Sequence, residues 1–314
     1  MQKWVEKRAF LFPGQGSQFV GMGRGLGEAA VGFFQKANEV LKFDIAELCE
    51  NGPEEKLNLT ENTQPAIVLI SAILLDRLKE MGVQACFGAG HSLGEYAAHF
   101  AAGSISFEDL LSTVRNRGRY MQEAAPVGSG AMAAVLGLDS QKVKEVCLKA
   151  EEHGLVKPAN YNSPEQTVIA GEKAGVLRAM ELAKEAGAKR AILLPVSAPF
   201  HTELIKEAEI RLMEDIKNTP FSDPKFPVVT NVDALPVTNV EESKNALVRQ
   251  VCGPVRWVES IQYLVSQGVT QFVEIGPGKV LSGLVRRIDR GVKVYSVSNE
   301  SSLLKTVEAI ENDG

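Results

Sequence analysis

Several common signatures are missing from this chain, and each absence removes a class of function. Only four cysteines occur in 314 residues, and Cys49, Cys86, Cys147 and Cys252 are widely scattered. Their spacing fits neither a zinc site nor a disulfide framework, so reduced thiols and a cytoplasmic location are expected. No cofactor or bound metal is expected. There is no basic excess. The net charge of -5 argues against a nucleic-acid partner. No apolar run reaches the roughly 18 residues that a membrane span needs, so no membrane association is expected. Residues 1–8 are charged and lead directly into a strand, unlike a signal peptide. Internal repeats and low-complexity tracts are lacking. Histidines number only four, which narrows the search for a base. What remains, 45% hydrophobic and 23% charged residues, is the composition of an ordinary globular protein. The length suits one large domain, or a domain with an insert.

Among what is present, the segment Gly90-His91-Ser92-Leu93-Gly94 is the most informative. Gly-x-Ser-x-Gly describes a nucleophile elbow, a sharp strand-to-helix turn that exposes the serine Oγ above a sheet edge. The flanking glycines remove Cβ atoms that would clash in so tight a turn. The pattern alone is weak, and context decides. Residues 85–89 (ACFGA) read as a short buried strand, and 93–102 (LGEYAAHFAA) are rich in helix formers.

Around the elbow, a strand is expected at 8–12, helices at 64–81 and 107–124, and turn residues at 126–130. The order then changes to strand 131–136, helix 140–153, strands 156–161 and 166–170, helix 173–186 and strand 190–196. That β-α-β-β-α-β order within about 70 residues is the split-βαβ signature of a ferredoxin-like unit. Beyond it a helix is expected at 203–218, strands at 227–230, 272–275 and 293–297, and a closing helix. The expected fold is therefore α/β. An α/β-hydrolase-like core with a mainly parallel sheet (1–127 and 198–314) carries an inserted ferredoxin-like subdomain (128–197).

Serine needs a general base within hydrogen-bond reach, and histidine is the usual choice. His91 adjoins the serine, so its ring points elsewhere and packs or hydrogen-bonds beneath the turn. His99 lies roughly 10 Å along the elbow helix, too far to serve. His153 precedes Gly154 at an expected helix end, where a cation suits the dipole. His201 follows the strand 190–196 and the rigid step Ala198-Pro199-Phe200, on a loop where open α/β sheets place active sites. A surface histidine is the alternative there. By elimination His201 is the chosen base. Nearly all carboxylates between Ser92 and His201 fall in the expected insert or on helix faces and no Asp stands out at a strand end, so a neutral group such as a backbone carbonyl is expected to orient the imidazole. That departs from a standard esterase.

In the helix 107–124, Arg117 lies three residues after Val114 and four before Met121, on the apolar face. Arg115 and Arg119 fall off that face and read as solvated. An inward guanidinium needs an anion. Two readings stay open: a buried ion pair with a protein carboxylate, or a bidentate clamp for a substrate carboxylate. Gly118 adds backbone room beside it. The loop FPGQGSQ at 12–18 lacks the Gly-Lys-Ser/Thr ending of a P-loop, and Phe19 stands where a dinucleotide fingerprint needs its third glycine. It reads either as a plain tight turn or as a source of donors for an oxyanion hole with the Leu93 N–H.

Taken together the chain resembles the malonyl-CoA:acyl carrier protein transacylases of fatty-acid synthesis and the related acyltransferase domains of polyketide synthases. The resemblance runs nearly end to end. It is carried by FPGQGSQ at 12–18, GHSLGEYAA at 90–98, RGRYMQEA at 117–124 and NYNSPEQTVIAG at 160–171. APFH at 198–201, TNVDA at 230–234, QVCGPVRW at 250–257 and EIGPGKVLSGL at 274–284 complete it. It implies that Ser92 carries the acyl ester, that His201 is its base and that Arg117 holds the malonyl carboxylate. It further implies an oxyanion hole of Gln15 and the Leu93 N–H, and a His201 oriented by the Gln250 main-chain carbonyl. The ferredoxin-like insert is a feature of the same family. His91, Asn160 and Asn162 fall in its motifs as further candidate site positions, and Phe200 looks like the malonyl-selecting form. The implied substrates are malonyl-CoA and acyl carrier protein, and the expected state is a monomeric discrete enzyme. Lys189-Arg190 and Arg286-Arg287-Arg290 are candidate contacts for an acidic carrier protein, with a solvated helix face as the other reading of the latter. Rival readings are an acyltransferase serving a polyketide synthase, a serine acyl-thioester hydrolase on the same scaffold, and a carrier-docking subunit with an idle serine.

Overall fold

The computed structural model describes residues 7–125, 128, 130–196 and 198–313. Residues 126, 127 and 129 of the expected turn, and 1–6 of the charged N-terminal stretch, lie outside the described residues.

Ala9, Phe10, Leu11 and Phe12 of β1 (Lys7–Phe12) are all buried. Successive side chains of a strand point to opposite faces. Phe10 and Phe12 accordingly join one apolar cluster, and Ala9 and Leu11 another. A strand buried on both faces belongs inside a helix-covered sheet. The later strands are β2 (Phe87–Gly90), β3 (Gly130–Leu136), β4 (Val156–Ser163), β5 (Gln166–Glu172), β6 (Arg190–Leu193), β7 (Val228–Val229), β8 (Pro236–Val237), β9 (Val269–Ile275) and β10 (Lys293–Val297). One sheet has the order β10-β9-β1-β2-β7-β8. Its pairs are parallel except β7 with β8, so the expected mainly parallel sheet is present.

The second sheet, β4-β5-β3-β6, is antiparallel throughout. The helices Ser140–Ala150 and Lys173–Glu185 supply Val143, Val146, Val176 and Ala179 to a cluster with Ala131, Ala133 and Val135 of β3. Met132 and Ala134, on the opposite face of β3, join the main core instead. This sheet therefore presses one face on its own helices and the other on the larger unit. A parallel bridge of Asn160 to Val255 ties β4 to the loop after Gln250.

Strand β6 ends at Leu193 rather than at 196 and forms an edge with Ile192 and Leu193 exposed. Helices Ala30–Leu41, Ile45–Asn51, Glu54–Leu57, Val240–Arg249 and Trp257–Ser266 occupy segments for which no element is expected. Two of them carry a legible start signal. Asp44 caps Glu47 N–H and Asn239 caps Glu242 N–H through their side chains. No described helix is long and apolar enough to cross a membrane.

Candidate active site

The elbow is shaped by steric necessity. A Cβ on Gly90 would come within 1.9 Å of the Gly94 carbonyl carbon, and one on Gly94 within 2.0 Å of the Phe12 oxygen. Between them Ser92 sits at φ +48°, the strained backbone of a nucleophile elbow. Asn231 staples the turn from below. Its Oδ1 accepts from Ser92 N–H at 2.7 Å, and its Nδ2 donates to the Gly90 carbonyl at 2.7 Å. The helix Gly94–Ala101 then runs out, leaving the Leu93 N–H without a partner among the described residues.

His201 Nε2 lies 2.9 Å from Ser92 Oγ. Its Nδ1 faces the carbonyl oxygens of Gln250 and Gly253, each at 3.0 Å. Carbonyls only accept, so Nδ1 carries the hydrogen and Nε2 is left to accept from the serine. The neutral orienting group expected in place of a triad acid is thus a pair of backbone oxygens. Burial, and next the Arg117 charge, push His201 down to about 3, so the imidazole is neutral at physiological pH. One expectation is corrected. His201 follows the edge strand of the antiparallel sheet, not a strand of the parallel one, and sits at φ +62°. Of the two, Ser92 is the one at the C-terminal end of a parallel strand.

Arg117 is 1% exposed and makes no ion pair among the described residues. Its Nη1 donates to Gln64 Oε1 at 2.9 Å, and its Nη2 to Gln250 Oε1 at 2.8 Å and to Ser92 Oγ at 3.1 Å. The nearest buried carboxylate, Glu95, is held one amide away: Gln250 Nε2 donates to Glu95 Oε2 at 2.7 Å. Burial pushes the Glu95 carboxyl up to about 7. The reading of a structural ion pair therefore fails, and the positive charge is left facing neutral oxygens. Gly118 works at closer range than backbone room implies, since a Cβ there would meet the Thr60 carbonyl at 2.6 Å. Arg115 is also corrected. It is not solvated but half-buried, bonded to Asn62 at 2.7 Å, paired with Glu61 and stacked 4.6 Å over Phe43.

Gln15, His91, Ser92, Leu93, Arg117, Asn160 and His201 line one small cavity of about 120 Å³, closed by Met121, Met132, Leu194, Val196 and Phe200. Gln15 Nε2 is anchored to Thr60 Oγ1 at 3.3 Å. His91 does turn away from the reacting pair: its Nε2 meets Asn162 Oδ1 at 2.7 Å and its ring lies near Trp257. Burial lowers its basicity. His99 is fully buried without a ring partner among the described residues, and His153 ends a short helix before Gly154, so neither reaches the site. Lys189 pairs with Glu165, and Arg286 and Arg287 bond to Val294 and Gln166. The groups that sequence reasoning missed are the side chains of Gln64, Glu95, Asn231 and Gln250, and the Gly253 carbonyl. Glu95 had a signal, a lone acid inside an otherwise apolar helix.

Comparison with known proteins shows which family the chain is similar to. The acyl transferase domain pattern matches residues 9–303. A malonyl CoA-acyl carrier protein transacylase of Bacillus subtilis is 49% identical over 315 positions, covering 98% of this chain and 99% of the relative. The structure of a malonyl CoA-acyl carrier protein transacylase from Coxiella burnetii superposes with a TM-score of 0.95 at 40% identity, covering 97% of this chain and 98% of that one. A malonyl-transacylase solved in complex with its type II PKS acyl-carrier protein gives 0.94 at 43% identity, covering 96% and 99%. With its elbow serine, its carbonyl-oriented histidine and its buried arginine in one cavity, the chain belongs to the acyl transferase domain family, alongside the malonyl CoA-acyl carrier protein transacylases.

Proposed function

We propose that this chain transfers the malonyl group of malonyl-CoA to the phosphopantetheine thiol of acyl carrier protein, supplying fatty-acid synthesis from the cytoplasm as a monomer. In this reading residues 1–127 and 198–314 are an α/β-hydrolase-like catalytic core and 128–197 a ferredoxin-like subdomain. The observation that carries the reaction is the 2.9 Å contact of Ser92 Oγ with His201 Nε2 in a cavity that also holds Arg117.

The malonyl carboxylate sits on Arg117, whose planar fork matches a carboxylate. Ser92 Oγ attacks the thioester carbon as His201 Nε2 takes its proton. The developing oxyanion meets the Leu93 N–H and the Gln15 amide. The carbon–sulfur bond breaks, and the proton on His201 passes to the departing CoA sulfur. The carrier thiol then gives its proton to His201 and attacks the malonyl ester; the ester C–O bond breaks and His201 returns the proton to Ser92 Oγ. His91 and Asn160 shape the wall beside the acyl group, and Asn162 holds the His91 ring from outside the cavity. The cavity of about 120 Å³ suits a short acyl chain and leaves little room for water beside it.

Intact-protein mass spectrometry after brief exposure to malonyl-CoA is expected to show one malonyl adduct, absent in Ser92→Ala. A wild-type chain that never gains the adduct would sink this reading. Steady CoA release without any carrier protein would favour a thioester hydrolase instead.

A further inference from the structure

The guanidinium of Arg117 is already committed at the place where a substrate acid would need it. A guanidinium carries five N–H hydrogens, and both edges that can grip a carboxylate bidentately include Nη2. Nη2 has two hydrogens. One goes to Gln250 Oε1 at 2.8 Å and the other to Ser92 Oγ at 3.1 Å. A carboxylate clamped on either edge must take one of them. Gln250 is fully buried, whereas Ser92 lines the cavity, so the bond to Ser92 is the one displaced. No carboxylate among the described residues competes directly, because the Gln250 amide stands between Arg117 and Glu95.

We propose that Arg117 is a carboxylate-operated latch on the nucleophile, holding Ser92 Oγ until the acid of the acyl group takes its Nη2 hydrogen. This rests on the reading of Ser92 as the acyl carrier and adds to it. A serine oxygen whose lone pair accepts from a cation is a poor nucleophile, even while its hydrogen points at His201. Seating a carboxylate on Arg117 frees that lone pair beside the thioester carbon. The Arg117 charge acts the same way on the base, since it is the second cause, after burial, of the low basicity of His201. A paired carboxylate cancels that contribution and moves His201 back toward its ordinary range. The other titratable groups that act on these two are His91 on His201, half-buried and bonded to Asn162, and the buried Glu95 and Tyr96 on Arg117. Discrimination against neutral acyl groups then falls on the acylation step as well as on binding.

Formate tests this without altering the protein, because acetyl-CoA plus formate together present the groups of malonyl-CoA. Single-turnover acylation of Ser92 by acetyl-CoA is followed by quench and intact-protein mass spectrometry, with formate or with chloride at equal ionic strength. Formate is expected to raise the acetylation rate saturably by about tenfold or more, the order of one charge-assisted hydrogen bond. In Arg117→Ala the latch is gone, so acetylation starts faster than in the wild type and formate has no effect. Equal wild-type rates in formate and chloride overturn the latch, as does stimulation that persists in Arg117→Ala. The wild-type comparison needs no variant, so it decides even where the variant fails to fold. Malonyl-CoA labelling run alongside separates the two ideas. If it succeeds without a formate effect, only the latch falls; if it fails, the transfer reading falls with it.

Discussion

Ser92 and His201 both hold left-handed backbone, at φ +48° and +62°, although neither is glycine. Such conformations cost on the order of 1–3 kcal/mol each and persist only where the surroundings enforce them. At Ser92 the enforcement is visible in the Asn231 side chain, which bonds both sides of the turn. Replacing Ser92 by glycine removes the strain as well as the hydroxyl. Ser92→Gly is therefore expected to be more stable than Ser92→Ala by about 1 kcal/mol in urea unfolding, with both unlabelled by malonyl-CoA. Equal midpoints would mean that the elbow is relaxed. Arg117 belongs to the same scale. Arg117→Ala is expected to lose malonyl transfer by roughly 100-fold in kcat/KM, while acetyl transfer is kept or gained. Unchanged preference for malonyl over acetyl donors would assign the arginine a structural role.

The helix Phe107–Glu123 presents Arg117 beside the helix Thr60–Glu80, with Gly118 packed against the backbone of Thr60 and Glu61. Gly118 makes that approach possible, and Gln64 on the facing helix receives the Arg117 Nη1 hydrogen. A methyl group at position 118 would meet Thr60 O at 2.6 Å and Glu61 Cα at 2.8 Å, both backbone atoms that have little freedom to yield. Glycine to alanine in a helix interior would by itself stabilise by about 0.5–1 kcal/mol. Overpacking costs typically 1–3 kcal/mol, so the clash should win. Gly118→Ala is thus expected to lower the thermal midpoint and to weaken malonyl over acetyl selectivity, as Arg117 is carried away from Gln64. A raised midpoint would show that the helices part without cost.

Across the whole molecule the site is a junction between units built differently. Ser92 comes from the parallel sheet, and His201 from the segment following the edge of the antiparallel one. The loop 250–256 orients His201 through Gln250 and Gly253 and pairs with β4 through Val255. Acid sensitivity is also a property of the whole fold. His99 is fully buried, has no partner for either ring nitrogen among the described residues and is pushed down to about 3 by burial. Its unfolded value is near 6.5. Between those values the unfolded chain binds the extra proton, so stability is full above about pH 6.5 and falls as pH drops toward about 3. His99→Leu keeps the apolar contact with the Phe221 region and removes the proton site. Urea midpoints at pH 7.5 and pH 5 are expected to differ less in this variant than in the wild type. An unchanged difference would place the acid sensitivity elsewhere.

Gly90-His91-Ser92-Leu93-Gly94 was legible without coordinates, because a tight turn depends on local sterics that residue types reveal. Helical spacing likewise turned Arg117 inward, since periodicity reports which face is buried. The β-α-β-β-α-β order also set the strands between 131 and 196 apart from the others, and those strands form the separate antiparallel sheet. Long-range pairing could not be read this way. Gln64, Asn231 and Gln250 are far apart along the chain and look unremarkable in it, yet the amides of Gln64 and Gln250 take Arg117 hydrogens and that of Asn231 pins the elbow. Two backbone carbonyls orient His201, and a carbonyl leaves no trace in residue identity. Sequence alone therefore determined which groups could react. Only the tertiary structure decided that the arginine faces neutral oxygens and touches the serine, because hydrogen-bond partners are chosen by distance in space and not by order in the chain.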